Sequence, residues 1–429
     1  MRYSVISGGV LLGLLALACQ RSASSGPGEW PQFRGPGGGG VTSAEGLPET
    51  WTEDSSNIVW RAEIPGEGNS SPIVSGGQVF LTSATKLAHL EVERFVLAVD
   101  LDTGELLWET SLGAAPAGKK HRMNTYAAPT PVTDGAHVFA LFGDVLACLD
   151  RQGEILWRQE IDPLYAEFVH YGSASSPVLS SEAVIVAQDR ESSEKPSGWL
   201  AAFDKKTGDE LWRVSWSDSC CSYTTPLVRQ RGATEEIIFV QAGSVRSYDA
   251  QSGELLWSQP FDFNQPVASP LMDGDLLAVF SGAHNERYGA VMRLSGEGRE
   301  TEIEVLWETN QIIPQTASPV LFGDRLYMVV TKGVMVCYDV QTGRSIWRLR
   351  LPGKGGYHSS LVAGDGKVYV GNRGGSVLVI EAGDGHREIA NNQLEGGVNA
   401  TPAFAGESIL IRTLSSLYRI SGHGDSPDA

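Results

Sequence analysis

Short apolar runs, separated by glycine, aspartate and asparagine, fill the chain from residue 57 to residue 421. The runs are continuous, as in FVLAVD at residues 95–100, rather than alternating apolar and polar positions. Continuous runs of this length indicate strands that are covered on both faces. No long helical period of apolar positions interrupts them. The pattern therefore predicts an all-β chain of short, buried strands.

Two phrases repeat along these runs. Eight copies of a Ser/Thr-Pro phrase, typified by NSSPIVSGGQVFLTS at residues 69–83, recur roughly forty to sixty residues apart, the last two degenerate. A second phrase, typified by DLDTGELLWET at residues 100–110, follows most copies. Each unit divides into strands A to D: Ser/Thr-Pro begins strand A, where the missing N–H of proline is tolerated. An Asp-x-x-Thr/Ser-Gly turn, with a carboxylate acceptor and a flexible glycine, separates strand C from strand D.

A count of the tryptophans predicts how the ring closes. Strand D carries the tryptophan in most units, but Trp60 precedes the first strand A, and the last unit ends at SLYRIS without a strand D. The N-terminal strand should therefore supply strand D of the last unit, while Ile389 replaces tryptophan in the unit before it. We predict an all-β, eight-bladed β-propeller of four-stranded antiparallel blades over residues 57–421, whose closure removes free sheet edges. The predicted blade-docking tryptophans are Trp60, Trp108, Trp157, Trp212, Trp257, Trp307 and Trp347.

The charge balance excludes one class of partner. The chain has 33 basic and 51 acidic residues, a formal charge of −18. A strongly acidic surface repels phosphate backbones, so nucleic acid is not an expected partner.

The first residues predict export. Arg2 and the apolar stretch at residues 10–18 form a signal peptide over residues 1–18, too short for a comfortable membrane span. The sequence LALAC ends at Cys19 and resembles a lipobox, so we expect Cys19 to be acylated; ordinary secretion is the alternative. A Ser/Gly-rich tether at 19–29, an N-terminal arm at 30–56 anchored by Trp30 and Phe33, and a tail at 422–429 complete the expected organisation.

The repeats resemble those of the PQQ-like repeat family, which is found in exported bacterial proteins. In that family the tryptophans dock against a glycine-containing peptide of the neighbouring blade. Some members are quinoprotein alcohol or sugar dehydrogenases that bind pyrroloquinoline quinone (PQQ) and calcium above the ring centre. Others are scaffolds, among them the propeller lipoprotein of the outer-membrane β-barrel assembly machinery. The fold alone does not choose between these functions.

Cys220 and Cys221 are adjacent, and an oxidising compartment would allow them to be joined. Neighbouring Cα atoms are about 3.8 Å apart, below the usual disulfide range of about 4.4–6.8 Å, so such a bond stiffens its loop. The resemblance adds a hint of function, because quinoprotein alcohol dehydrogenases carry a vicinal disulfide beside the quinone. The sequence shows no recognised spacing of calcium ligands, however, so we interpret the pair as structural. Cys148 and Cys337, in strand C of the second and sixth blades, are expected to be buried thiols.

The ring mouth is the candidate binding surface. The residue three before the strand-A proline position begins the inner strand in every unit, and the loops from strand D to the next strand A lie beside it. These residues either tie neighbouring blades together or form a funnel for a peptide, glycan or small ligand. The candidate funnel residues are Tyr126, His170, Tyr171, Tyr223, Gln315, Tyr357, His358 and Asn399.

These observations favour a monomeric, lipid-anchored propeller that binds a protein or glycan partner at the periplasmic face of the outer membrane or the cell surface. No catalytic residue, metal or cofactor is predicted. The alternative is a quinoprotein oxidoreductase that uses PQQ with calcium.

Overall fold

The structure is a computed structural model that describes residues 28–118, 120–161, 171–190, 197–217, 221–262, 264–282 and 287–422. The predicted signal peptide, Cys19 and most of the predicted tether and tail lie outside these ranges. The described residues contain thirty-two strands and three short 3₁₀ turns, at Pro36–Gly38, Ala88–Leu90 and Gly298–Glu300. None of the helical segments found there is long and apolar enough to cross a membrane.

The strands form eight four-stranded antiparallel sheets, the blades. Blade 1 contains β2 Ile73–Ser75, β3 Gln78–Lys86, β4 Glu91–Asp100 and β5 Leu106–Pro116, and blade 2 contains β6 Val132–Thr133, β7 His137–Phe142, β8 Val145–Asp150 and β9 Ile155–Glu160. Blade 3 contains β10 Val178–Leu179, β11 Ala183–Arg190, β12 Ser197–Asp204 and β13 Glu210–Trp216, and blade 4 contains β14 Leu227–Arg231, β15 Thr234–Gln241, β16 Ser244–Asp249 and β17 Leu255–Pro260. Blade 5 contains β18 Leu271–Asp273, β19 Leu276–Ser281, β20 Tyr288–Ser295 and β21 Glu302–Thr309, and blade 6 contains β22 Val320–Phe322, β23 Arg325–Val330, β24 Val334–Asp339 and β25 Ser345–Arg350. Blade 7 contains β26 Val362–Gly364, β27 Lys367–Gly371, β28 Ser376–Glu381 and β29 Glu388–Gln393, and blade 8 contains β30 Ala403–Ala405, β31 Ser408–Arg412, β32 Ser416–Ser421 and β1 Ile58–Glu63.

The eighth blade confirms the predicted closure. Strand β1 pairs antiparallel with β32, with Trp60 opposite Arg419 and Ala62 opposite Leu417. The N-terminal strand is thus strand D of a blade whose other three strands end the chain. Each blade runs A, B, C, D, so the D-to-A and B-to-C connections lie at one end of the ring, the mouth. The A-to-B and C-to-D turns lie at the other end, the base.

A closed circle of hydrogen bonds joins the inner strands. In each blade the residue before the strand-A proline position donates its backbone N–H to the side-chain hydroxyl of the equivalent residue in the next blade, at 2.9–3.2 Å. Because each hydroxyl accepts a buried N–H, the polar groups that strand A cannot pair within its own sheet are satisfied. This explains the Ser/Thr-Pro phrase. The circle consists of Ser71, Thr130, Ser176, Thr225, Ser269, Ser318, Ser360 and Thr401.

The C-to-D turns dock each blade on its neighbour. In blade 1, Asp100 accepts the N–H groups of Asp102 and Thr103, and Gly104 follows at φ +76°. A Cβ on Gly104 would lie 2.7 Å from the ring of Trp60, so the indole of blade 8 packs directly on this glycine. Six indole N–H groups donate to a carbonyl in the next blade at 2.7–3.1 Å: Trp60 to Leu101, Trp108 to Arg151, Trp157 to Lys205, Trp212 to Ala250, Trp307 to Val340 and Trp347 to Gly383.

Trp257 departs from this pattern. Its side chain packs with residues of blade 5, but its indole N–H donates to Glu236 of its own blade at 3.1 Å. The C-to-D turn of blade 5 has the sequence SGEGRE and lacks the Asp-x-x-Thr-Gly pattern, so Trp257 has no turn of the usual kind to dock on. Glu236 is fully buried and is paired with Arg229 at 2.7 Å.

The core lies between successive blades. Apolar side chains from facing sheets form separate clusters around the ring rather than one central core. Cys148 and Cys337 are buried free thiols in these clusters, and burial raises the pKa of each to about 12. Both are inert structural cysteines by this criterion.

The N-terminal arm crosses the base of the ring. Trp30 forms a β-bridge with Val74 of blade 1 and lies edge-on to Phe404 of blade 8, while Val41 bridges to Ala363 of blade 7. Arg34, between these contacts, is fully buried and donates to the carbonyl of Pro319 in blade 6. The arm therefore covers the inner strands at the base, and the opening of the ring is at the mouth.

Candidate functional site

A cavity of about 560 Å³ opens at the mouth of the ring. Its size lies within the range typical of small-ligand sites. The D-to-A and B-to-C connections of the blades build its wall. The described lining residues are Asn69, His121, Met123, Asn124, Tyr171, Ala174, Tyr223, Gln265, Val267, Gln315, Thr316, Thr331, Lys332, His358, Arg373 and Asn399.

The structure places many of the sequence-predicted residues in this cavity. Of the eight positions three before the strand-A proline, all except Ala128 line it. Of the candidate funnel residues, Tyr171, Tyr223, Gln315, His358 and Asn399 line it. His170 lies outside the described residues.

Tyr126 and Tyr357 do not line the cavity. Tyr357 is 3% exposed, packs beside Gly333, and donates its hydroxyl to the carbonyl of Pro352. Tyr126 donates its hydroxyl to the carbonyl of Gly118 at 3.1 Å. Both rings fold back onto their own loops, where they fix the loop conformation, so their placement in the funnel was wrong.

Polar residues form one continuous arc of the wall. The first inner-strand residues of blades 6, 7, 8 and 1 are Thr316, His358, Asn399 and Asn69, whereas the corresponding residues of blades 3 to 5 are Ala174, Tyr223 and Val267. Within the arc a hydrogen bond of 3.1 Å joins Thr316 Oγ1 and His358 Nδ1. Burial, and the nearby charge of Arg373, lower the pKa of His358 to about 4. His358 is therefore neutral at physiological pH.

Two cations that were not predicted from the sequence extend the same arc. Lys332 follows strand β23 of blade 6, and Arg373 follows strand β27 of blade 7, in equivalent B-to-C turns. Neither side chain forms an ion pair with a described residue. The signal was present in the sequence, because each is a basic residue followed by glycine in a short turn after strand B.

Two amides of the arc have an acceptor atom without a partner. Asn69 donates through Nδ2 to the carbonyl of Met123 at 3.3 Å, which leaves its Oδ1 buried with no hydrogen bond among the described residues. The Oδ1 of Asn399 is also buried and has no hydrogen bond among the described residues. A buried acceptor that is left unpaired costs free energy, so these atoms favour a ligand or water that donates hydrogen bonds.

Aromatic side chains form the opposite wall. Tyr171 lies between His121 and Tyr223, with ring centroids 5.3 and 5.7 Å apart. Asn124 holds this wall in place by donating to the carbonyl of Tyr171 at 2.7 Å. The cavity thus presents an apolar, aromatic side that faces a polar and cationic side.

Cys221 lies beside this wall, two residues before Tyr223. Cys221 is disulfide-bonded and has φ +79°, and Cys220, its predicted partner, lies outside the described residues. Ser222, the next residue, donates its N–H to Asp189, which also accepts the indole N–H of Trp216 at 3.1 Å. Burial raises the pKa of Asp189 to about 7. Asp189 holds the loop that leads to Tyr223.

The lining residues do not fit a quinone held by calcium. Calcium takes six to eight oxygen ligands, with carboxylates among them. None of the sixteen described lining residues is an aspartate or glutamate. Within the same described part of the chain, no three residues of the metal-binding types His, Cys, Asp and Glu cluster.

Comparison with known proteins identifies relatives of two kinds. The profile of the family described as "Outer membrane protein assembly factor BamB" matches residues 92–349 and 301–414. The protein of that name from Burkholderia pseudomallei is 22% identical over 364 residues, which are 82% of this chain and 74% of the relative.

Among solved structures, BamB from Moraxella catarrhalis is 14% identical, with a TM-score of 0.57, and the match covers 85% of this chain and 98% of that one. A quinohemoprotein alcohol dehydrogenase from Comamonas testosteroni is 9% identical, with a TM-score of 0.63, and the match covers 95% and 83%. At these identities the structural likenesses show the fold alone.

Proposed function

The chain belongs to the family of the outer membrane protein assembly factor BamB, and from that premise we propose that it is a non-catalytic binding propeller of the bacterial cell envelope. In this proposal the mouth engages a protein partner, and no cofactor takes part. The observation that carries the proposal is the lining of the mouth cavity. Its described residues are amides, aromatics and unpaired cations, which suit recognition, and include no carboxylate to serve as base or calcium ligand.

We propose further that Cys19 carries a lipid and holds the propeller at the periplasmic face of the outer membrane. The lipobox-like LALAC at residues 15–19 and the assembly-factor name of the relatives support this location. Fractionation tests it, because Cys19→Ser should move the protein from the membrane to the soluble periplasmic fraction. A membrane-bound Cys19→Ser variant would contradict the lipid anchor.

Photo-crosslinking in cells of the natural host tests the partner. A photoreactive amino acid at Tyr223 should yield an adduct with a component of the β-barrel assembly machinery, identified by mass spectrometry. The matched control carries the same group at Leu107, which is 45% exposed on the outer strand of blade 1, far from the mouth. Equal labelling from both positions, or no adduct from Tyr223, would contradict a partner at the mouth.

The alternative function is a PQQ-dependent oxidoreductase. The fold likeness to a quinohemoprotein alcohol dehydrogenase and the bonded state of Cys221 favour it. The chemistry of the described cavity wall opposes it, and we prefer the binding function.

A further inference from the structure

The charge of the mouth cavity is opposite to that of the protein. The chain carries a formal charge of −18, with 51 acidic residues. The described wall of the cavity contains none of these acids, but contains Lys332 and Arg373. A cavity with low-dielectric walls concentrates the field of the charges that line it, so these two cations dominate the local potential.

Arg373 is placed to bind rather than to stabilise the fold. Its backbone N–H donates to the carbonyl of Gly356, which fixes the turn. Its guanidinium has no ion pair with a described residue, whereas ten of the other arginines that the structure describes have an acidic partner. A half-buried arginine with free donors matches a carboxylate, which a guanidinium can bind through two parallel hydrogen bonds.

The neighbouring atoms define the rest of the ligand. The unpaired Oδ1 atoms of Asn399 and Asn69 continue the arc beyond Arg373 and require hydrogen-bond donors. Across the cavity, Tyr171 and Tyr223 offer an apolar surface. An extended peptide supplies all three groups at once: a carboxylate, backbone N–H donors and an apolar side chain.

We propose that the mouth cavity binds an acidic peptide segment that carries an aromatic or aliphatic residue. Its carboxylate pairs with Arg373 and Lys332, its backbone N–H groups donate to Asn399 and Asn69, and its apolar side chain packs on Tyr171 and Tyr223. This inference rests on the proposed binding function and names the chemistry of the partner. His358, neutral in this setting, adds hydrogen-bonding capacity without charge.

The test uses the full chain and dye-labelled peptides in a fluorescence anisotropy titration. The acidic probe is Phe-Asp-Leu-Asp-Phe with capped ends, and the matched neutral probe is Phe-Asn-Leu-Asn-Phe. We expect saturable binding of the acidic probe, at least about tenfold weaker binding of the neutral one, and weakening with added salt. Equal affinity for the two probes, or displacement of the acidic probe by an oligogalacturonate, would overturn the assignment of an acidic peptide.

Charge variants locate the site. Arg373→Gln should weaken binding of the acidic probe by about tenfold or more. Lys332→Gln should weaken it by a smaller factor, because the side chain of Lys332 is exposed and its charge is screened by solvent. Arg387→Gln is the control, because Arg387 belongs to the same blade but lies in the C-to-D turn at the base, paired with Glu381. Equal effects of Arg373→Gln and Arg387→Gln would overturn the site.

The two proposals fail separately. If the peptide titration fails while the crosslink from Tyr223 persists, the ligand chemistry proposed here is wrong and the binding function stands. If both fail, the mouth is not the binding surface.

Discussion

The backbone N–H of Thr401 donates to the Oγ of Ser71 at 3.0 Å, across the junction between the last blade and the first. This bond closes a circle in which seven similar bonds join blades that are neighbours in sequence. The junction therefore has two closures. Ser71 joins the inner strands of blades 8 and 1, and strand β1, from the N-terminal side of the chain, completes blade 8 as its outer strand.

Ser71→Ala should destabilise the protein by about 1–3 kcal/mol, because it leaves the buried N–H of Thr401 without an acceptor. Urea unfolding, followed by tryptophan fluorescence, measures the change. Ser359→Ala is the control, since Ser359 is equally buried but its hydroxyl donates to the carbonyl of Ser360 outside the circle. An equal or larger loss in Ser359→Ala would contradict the importance of the circle.

Gly104→Ala tests the docking of tryptophan on glycine. Gly104 and Gly77 both have positive φ, +76° and +79°, so alanine is strained at either position by about 1–3 kcal/mol. Only at Gly104 would the new Cβ meet a side chain, the ring of Trp60, whereas Gly77 has open space. Gly104→Ala should therefore lower the unfolding free energy more than Gly77→Ala. Equal losses would show that the indole does not need the glycine.

Trp30→Ala tests the arm across the base. Trp30 is 2% exposed and contacts Phe404, so its removal should cost about 3–5 kcal/mol. Phe33, only half-buried, was expected to be a second anchor, and Phe33→Ala should cost distinctly less. Equilibrium unfolding of both variants gives the comparison, and a reversed order would place the anchor at Phe33.

Asp189 should make stability depend on pH. Burial raises the pKa of Asp189 in the folded protein to about 7, above its ordinary value of 3.8. The folded protein therefore binds this proton more tightly than the unfolded chain does. The resulting stabilisation is present in full below about pH 4 and is lost as the pH rises through 7. The wild-type protein should lose stability from this group between about pH 4 and pH 7. Asp189→Asn should show a smaller loss over that interval in thermal unfolding, and an unchanged loss would contradict the shifted pKa.

Local chemistry explains why the blades could be predicted. Asp100 accepts N–H groups only two and three residues away, so the turn pattern is visible in a single unit. The count of units then placed Trp60 in the last blade without any knowledge of contacts.

The contacts between distant segments could not be predicted in the same way. The burial of Arg34 depends on the path of the arm across several blades, and the carbonyl of Pro319 that it reaches is 285 residues away. Arg373 enters the cavity from a B-to-C turn, whereas the predicted funnel comprised only inner-strand starts and D-to-A loops. Tyr357 lies in a D-to-A loop, as predicted, but its ring is buried against that loop instead of facing the cavity. The direction of a side chain within a loop was not predictable from the sequence.

The most direct test of the account is an equilibrium titration of the full chain with PQQ in the presence of calcium, combined with a dye-reduction assay on alcohol and sugar substrates. The account predicts no saturable, calcium-dependent binding of PQQ and no dye reduction above that of the free cofactor. Saturable calcium-dependent binding accompanied by substrate-dependent dye reduction would contradict it and would establish the mouth as a quinone site.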